Sequence, residues 1–208
     1  MAKLDKFGMI TGKLGNAIMY RVGNQIRVRT KPANVKQPQT EAVVKAKSQF
    51  KRINSLASAI YRKTNLVGPE LKPNEGKNPY SEFIKLMRWS GVPKPAIETL
   101  WNWETLKLTE GSLKHELIDL QLTSEGILKA TWESTPSKTL QDYLFILCID
   151  IETEQVIKKE VDYDIDQLEW LIPEAFRGKV VSCYSFRAQL NGNKILKSHS
   201  VFHGMMTL

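Results

Sequence analysis

Histidine is the residue type that most often takes part in catalysis or metal binding, and this 208-residue chain has three: His115, His199 and His203. His199 and His203 have the spacing of residues on one face of a strand. A metal site needs three or four convergent ligands, however, and no cysteine or carboxylate accompanies them at a suitable spacing. The sequence therefore predicts ordinary histidines and no metal site.

Two loops begin like ligand-binding motifs and then depart from them. The segment GMITGKLGNA at 8–17 has three residues instead of four between its first two glycines, and Leu14 stands where a phosphate-binding loop needs a hydroxyl. Asp162, Asp164 and Asp166 begin like a calcium loop, but Gln167 occupies the position that needs glycine. We therefore predict that the protein is not an enzyme, uses no cofactor and has no small-molecule substrate.

The net charge of +8 is very unevenly distributed along the chain. Residues 1–65 contain 14 Lys and Arg against two acidic residues, whereas residues 66–208 contain 16 against 20. A basic region of that density attracts polyanions over about 10 Å at ordinary ionic strength. Nucleic acid, an acidic protein surface and the acidic remainder of a neighbouring copy all fit this charge.

The segment IMYRVGNQIRVRTK at 18–31 has the alternation of a β-hairpin, with its turn at Gly23 and Asn24. We predict one apolar face, formed by Ile18, Tyr20, Val22, Ile26 and Val28. The opposite face is expected to carry Met19, Arg21, Arg27, Arg29 and Lys31. Because an isolated hairpin is only marginally stable in water, its apolar face must pack on another surface.

A long helix is expected after the hairpin, from Glu41 to about Lys63, with Thr40 as its N-cap. Its apolar residues repeat at intervals of three and four, which indicates a narrow seam that packs on a second helix of the chain or on another molecule. The seam consists of Val43, Ala46, Phe50, Ile53, Ala57 and Ile60. The cations that we predict to bind a partner or a polyanion are Lys13, Arg21, Arg27, Arg29, Lys31, Lys45, Lys47, Lys51 and Arg52.

Composition and periodicity divide the chain into three parts. Residues 1–65 form a basic arm of hairpin and helix, and residues 66–103 form a Gly- and Pro-rich connector with a short helix. From 104 to 208 the period changes to two, and seven or eight strands are predicted, starting near residues 104, 117, 127, 143, 155, 167, 179 and 194. The sequence thus predicts an α+β, mainly β protein whose carboxy-terminal part is an antiparallel β-sandwich of the immunoglobulin or fibronectin type III kind.

Aromatic and apolar segments give further expectations. Trp89, Trp101 and Trp103 are expected in the core or at a domain junction, with a platform for stacking nucleic-acid bases as the alternative. Cys148 and Cys183 lie in apolar runs and are expected to be buried free thiols; a disulfide would need an oxidising compartment. The longest nearly apolar run, at 143–151, is too short to cross a bilayer, and no signal peptide is recognisable, so we expect a cytoplasmic protein without a membrane partner.

The segment FGMITGKLGNAIMYRVGNQIRVRTKPANVKQPQTEAVVKAKSQF resembles the signature of an uncharacterised family, a domain of unknown function abundant in Bacteroidota whose members have about this length. The matching positions are Gly12, Lys13, Gly15, Asn16, Gly23, Arg27, Arg29, Pro32, Thr40 and Phe50. The segment IPEAFRGKVVSCYSFRAQLNGNKILKSHSVFHG resembles the family's closing pattern at Pro173, Phe176, Gly178, Tyr184, Phe186, Gly192, Ser198, Ser200 and Gly204. The resemblance implies no activity. A looser similarity of the segment from Arg29 into the helix to small prophage proteins implies an assembly role.

Charge, patterning and resemblance favour a non-enzymatic structural or assembly subunit. In this hypothesis the basic arm docks on another subunit, by self-association or in a prophage-like or other multi-subunit assembly. The alternative is a nucleic-acid-binding protein in which the same cations contact phosphates. No recognised binding motif supports that alternative, so it depends on charge alone.

Overall fold

The structure is a computed structural model that describes residues 2–4, 10–15, 17–22, 25–30, 40–71, 76–92, 101–115, 118–133, 141–192 and 194–208. The chain forms two compact units. The amino-terminal unit comprises Met1–Ala46 and Asn74–Gly76, and the carboxy-terminal unit comprises Lys47–Pro73 and Lys77–Leu208. Because this division falls after residue 46, residues 47–63 of the helix that we assigned to the basic arm of residues 1–65 belong to the carboxy-terminal unit.

The amino-terminal unit contains a four-stranded antiparallel sheet with its strands in chain order. The strands are β1 (Ala2–Leu4), β2 (Ile10–Leu14), β3 (Ala17–Val22) and β4 (Gln25–Thr30). Strands β3 and β4 form the predicted hairpin, while its predicted turn residues lie outside the described residues. The glycine-rich segment at 8–17 contains strand β2, and Gly15, with a φ of 56°, lies in the turn that follows it.

Helix α1 spans Glu41–Lys63, as the sequence predicts. The side chain of Thr40 accepts a hydrogen bond from the backbone N–H of Val43 at 3.4 Å, so the N-cap is confirmed. Only the second half of the predicted seam is buried, at Ile53, Ala57 and Ile60 together with Leu56. Phe50 is 53% exposed. The seam therefore packs within the carboxy-terminal unit over its last two turns and is open before them.

Within its described residues, the carboxy-terminal unit adds one helix, one short 3-10 turn at Glu174–Phe176 and ten strands. Helix α2 spans Pro79–Gly91, and the side chain of Asn78 caps it by accepting from the N–H of Tyr80. The strands are β5 (Gly68–Pro69), β6 (Thr109–Glu110), β7 (Ile118–Leu122), β8 (Ile127–Trp132), β9 (Gln141–Asp150), β10 (Val156–Asp162), β11 (Gln167–Leu171), β12 (Val180–Asn191), β13 (Lys194–Lys197) and β14 (Val201–Thr207).

Two antiparallel sheets form the body of this unit. One has the order β11-β8-β7, and the other has the order β10-β9-β12, with β13 and β14 both paired to the far edge of β12. Strands β5 and β6 form a separate short parallel pair. The strand that we predicted at 104 is a turn over 103–105, and the single strand predicted from 194 is divided into β13 and β14.

The larger sheet is covered on both faces, as the alternation along β12 shows. Val181 and Cys183 contribute to a hydrophobic cluster that also contains Leu128 and Trp132 of the smaller sheet. Tyr184 and neighbouring even-numbered residues of β12 contribute to a second cluster with α1 and α2. The predicted α+β, mainly β class is confirmed. The immunoglobulin or fibronectin type III identity of the paired sheets stays a prediction.

The predictions for the tryptophans and cysteines have different outcomes. Trp101 and Trp103 are buried in the helical cluster, whereas Trp89 is 73% exposed. Cys148 and Cys183 occupy opposite positions on β9 and β12, with their Sγ atoms 3.5 Å apart, and both are buried free thiols. Two of the three rings are therefore not exposed for stacking on nucleic-acid bases.

Candidate functional site

The register of β3 and β4 decides which side chains share a face of the amino-terminal sheet. Tyr20 is opposite Arg27, and Ile18 is opposite Arg29. Residues directly opposite in an antiparallel pair project from the same face. Cationic and apolar side chains are therefore mixed on this face of the sheet.

This register corrects the prediction of one apolar face formed by Ile18, Tyr20, Val22, Ile26 and Val28. Val22 at the end of β3 pairs with Gln25 at the start of β4. The pairing then continues in steps of one residue on each strand, so the even-numbered residues of β3 are opposite odd-numbered residues of β4. Val28 is opposite Met19 and so lies on the other face from Tyr20. A change of one residue in pairing moves a whole strand's side chains to the other face. Each face of the hairpin therefore carries apolar residues.

Among the residues of the amino-terminal unit whose burial the structure describes, at 12, 15, 17–20, 25–30, 40–46 and 76, none is buried. Every residue of β4 is exposed, including Arg27 and Arg29, and the exposed fractions of Ile26 and Val28 are 42% and 59%. Strand β4 also pairs with β3 alone among the described strands, so it forms an edge of the sheet. An edge strand with exposed apolar side chains is a surface that favours pairing with another chain.

The other predicted partner-binding cations have several positions. Lys13 and Arg21 belong to β2 and β3, and Lys31 lies outside the described residues. Lys45, Lys47 and Lys51 are exposed on α1. Their positions leave these three α1 cations available to an anionic partner.

Arg52, the ninth predicted cation, has a partner within the carboxy-terminal unit. Its Nη2 atom lies 2.9 Å from Oε1 of Glu154, and the same oxygen accepts a hydrogen bond from the indole N–H of Trp101 at 3.1 Å. The Glu154 side chain is only 14% exposed. Arg52 therefore has a structural role that sequence reasoning missed, because Glu154 is about a hundred residues away along the chain.

The carboxy-terminal unit has a surface of the opposite character between β10 and β11. Exposed carboxylates are present there at Asp162, Asp164, Asp166 and Glu169, the last of which is ion-paired with Lys129. Exposed apolar side chains accompany them: Ile165 is 45% exposed and Leu171 is 62% exposed. We call the segment 162–171 the acidic surface. Its combination of carboxylates and apolar side chains is complementary in charge to strand β4.

Histidines and a serine form one polar cluster that sequence spacing did not reveal. Nε2 of His115 lies 2.9 Å from Oγ of Ser185, and Nε2 of His203 lies 2.6 Å from the same oxygen. Burial, together with the smaller effect of the neighbouring His115, lowers the pKa of His203 to about 4. Such contacts activate serine in hydrolases, but Ser185 is fully buried, so a substrate has no access to its hydroxyl.

The expectation for His199 and His203 changes with this geometry. His199 is exposed and precedes β14, whereas His203 lies within that strand and bonds to Ser185. No group of three or more metal-binding side chains occurs among the described residues.

A buried ion pair holds the neighbouring end of β9 and β12 together. Nε of Arg187 lies 2.8 Å from Oδ1 of Asp142, and a second guanidinium nitrogen contacts the other carboxylate oxygen. Gln189 donates to the same carboxylate at 3.1 Å, and the Arg187 guanidinium lies 3.9 Å from the ring centroid of Tyr163. The pair is bidentate and its charges are matched, which is the arrangement expected of a structural pair.

These features define the class of protein: a mainly β, α+β chain with a basic amino-terminal sheet and a two-sheet carboxy-terminal unit. None of the helices in the described ranges is long and apolar enough to cross a membrane. No protein-family model matches the chain, and a comparison with curated proteins found no match.

Proposed function

We propose that the protein is a non-enzymatic assembly subunit that joins copies of itself through the amino-terminal sheet. The observation that carries the proposal is that strand β4 is exposed along its whole length, with apolar Ile26 and Val28 and cationic Arg27 and Arg29. A sheet of three or more strands needs a packed apolar face for independent stability. A second surface supplies that packing.

The partner surface on the neighbouring copy is the acidic surface, segment 162–171. Its exposed carboxylates attract Arg27 and Arg29, and its exposed Ile165 and Leu171 offer apolar area to Ile26 and Val28. Apolar contact contributes about 25 cal/mol per Å² buried, while the charges mainly set the association rate and the register. Two different patches of one chain make a heterologous contact, which generates rings or filaments.

The cytoplasmic location, the membership of the uncharacterised family and the prophage-like setting belong to the same proposal. They are supported by the sequence alone. A subunit of this kind needs no cofactor and no catalytic group.

The test is sedimentation velocity of the full chain over a wide concentration range at low and high salt. We expect the mass to rise with concentration and to fall with salt. Charge reversal by Arg27→Glu with Arg29→Glu should abolish the rise. The matched control is Arg88→Glu with Arg177→Glu, which makes the same change in net charge at exposed positions of the carboxy-terminal unit. A constant monomer mass at low salt would contradict the proposal.

Nucleic-acid binding is the second candidate, favoured by the exposed cations Arg27, Arg29, Lys45, Lys47 and Lys51. It is tested in the same series by adding a generic DNA duplex. This candidate predicts co-sedimentation with a log-log salt slope of about −0.9 per phosphate neutralised. Duplex binding by a chain that stays monomeric would favour it over self-assembly.

A further inference from the structure

A lysine of the carboxy-terminal unit is buried without a matching carboxylate. Lys197, on β13, is 7% exposed. Its Nζ donates to the backbone carbonyl oxygens of Val67 at 3.1 Å and Gly68 at 3.4 Å. None of the described carboxylates forms an ion pair with it. Glu70 is near enough to act on this ammonium electrostatically but forms no ion pair with it. An ammonium removed from water without a paired counter-charge is unfavourable unless another group compensates it.

Lys197 also contributes to the wall of a cavity. Lys197 lines a cavity of about 290 Å³, together with the second cation Lys194 and the polar side chains of Tyr61 and Asn65. Its other walls are apolar, at Leu66, Pro69, Leu71, Pro79 and Ile195. Two backbone carbonyls occupy two of the three N–H groups of Lys197, so the third remains for a ligand.

A larger cavity of about 680 Å³ adjoins the first and shares Pro69, Leu71 and Lys194 with it. Two carboxylates, Glu70 and Glu110, line this second cavity. Glu70 is fixed there because its Oε2 accepts hydrogen bonds from the backbone N–H and the hydroxyl of Ser112, at 3.2 and 3.1 Å. The two cavities therefore differ in charge: the smaller is cationic and the larger is acidic.

We propose that these cavities bind a monocarboxylate with an apolar tail, whose carboxylate pairs with Lys197 while the tail lies along Pro69 and Leu71. The acidic lining of the larger cavity disfavours a second carboxylate on the same ligand. Such a combination of apolar walls with a few convergent polar groups is typical of small-ligand sites.

Burial lowers the pKa of Lys197 to about 8, against the opposing effect of the Glu70 carboxylate. A bound carboxylate favours the charged amine, so it should raise this pKa. Binding should also weaken by about tenfold per pH unit above the pKa of the amine that must be protonated. This site is independent of the proposed assembly function.

The test is calorimetric titration of the full chain with hexanoate and, as the matched neutral probe, hexanamide. We expect saturable binding of hexanoate and at least about tenfold weaker binding of hexanamide. Lys197→Met should lose at least about tenfold in hexanoate affinity, and Lys129→Met, at an exposed lysine outside both cavities, should lose none.

A second arm identifies the source of the carboxylate: a short peptide with a free, leucine-terminated carboxyl end, compared with its amidated form. Tighter binding of the free peptide than of hexanoate assigns the site to a chain terminus, and the reverse order assigns it to a small acid. Should Lys197→Met not fold, the pH dependence of hexanoate binding by the unaltered chain replaces it. Equal binding of hexanoate and hexanamide, or no saturable binding up to about 10 mM, would overturn the proposal.

Discussion

The guanidinium of Arg29 lies over the ring of Tyr20, with its Cζ atom 5.6 Å from the ring centroid. The two residues are not directly opposite each other, since Tyr20 pairs with Arg27. Their contact is therefore diagonal, and it holds a cation against an aromatic ring on one face of the hairpin. Ile26 and Val28 lie on the other face, so the charge and the apolar area of β4 can be altered separately.

Separate substitution of the two faces should affect self-association differently. Ile26→Thr with Val28→Thr keeps the β-branched shape and the charge but removes exposed apolar groups. For the threonine variant we expect weaker association with an unchanged salt dependence, whereas Arg27→Glu with Arg29→Glu should abolish association at low salt. Sedimentation at three salt concentrations measures both effects. An unchanged association constant for the threonine variant would mean that Ile26 and Val28 are not at the interface.

Breaking the buried pair of Asp142 and Arg187 should be costly, because it leaves a buried guanidinium without its counter-charge. The two side chains are 8% and 7% exposed. We expect Asp142→Ala to lower the free energy of unfolding by about 3–5 kcal/mol, measured by urea denaturation. Replacing both partners, as Asp142→Leu with Arg187→Met, should recover much of this loss.

The control for this prediction is the ion pair of Lys129 and Glu169, with 2.7 Å between Nζ and Oε1 and side chains that are 48% and 64% exposed. Glu169→Ala should leave the urea midpoint nearly unchanged because exposed pairs contribute little. Similar losses of unfolding free energy in Asp142→Ala and Glu169→Ala would contradict the prediction that burial makes the Asp142–Arg187 pair the more costly one to break.

The carboxylate of Glu154 should matter more than the arginine that pairs with it. Glu154 accepts from both Trp101 and Arg52, and it is much less exposed than Arg52, whose side chain is 53% exposed. Glu154→Ala should cost about 1.5–3 kcal/mol, since hydrogen bonds to charged groups have that magnitude. Arg52→Ala should cost about 0.2–1 kcal/mol, as for an exposed ion pair. Equal losses of unfolding free energy for Glu154→Ala and Arg52→Ala, measured by urea denaturation, would show that the hydrogen bond from Trp101 adds nothing to stability.

The pH dependence of stability should contain a contribution from His203. Its pKa is lowered from 6.5 to about 4 in the folded chain, so the unfolded chain binds more protons between these values. The stability that depends on neutral His203 is therefore fully present above pH 6.5, and it is lost as the pH falls towards 4. His203→Gln should flatten the fall of the free energy of unfolding in this window, whereas His199→Gln, at an exposed position, should not. Identical slopes for His203→Gln and the unaltered chain would refute this assignment.

The sequence alone determined the elements whose cause is local. The period of the apolar residues and the capping side chain of Thr40 are properties of a short segment, and α1 and the strands from β7 to β12 accordingly lie where they were predicted. The alternation of the β3 and β4 residues likewise predicted the hairpin. The unequal distribution of charge is a property of composition and needs no structure.

Only the tertiary structure decided which of these residues meet. Alternation within each strand does not show how the two strands pair. The pairing register of β3 and β4 put Tyr20 on the same face as Arg27 and Arg29, where a uniform apolar face was predicted. Long-range contacts joined His115 to Ser185 and Arg52 to Glu154. The same is true of Lys197, whose burial depends on β13 packing beside β5 over 120 residues earlier in the chain. Side-chain environment depends on neighbours distant in sequence, and a single sequence carries no direct record of them.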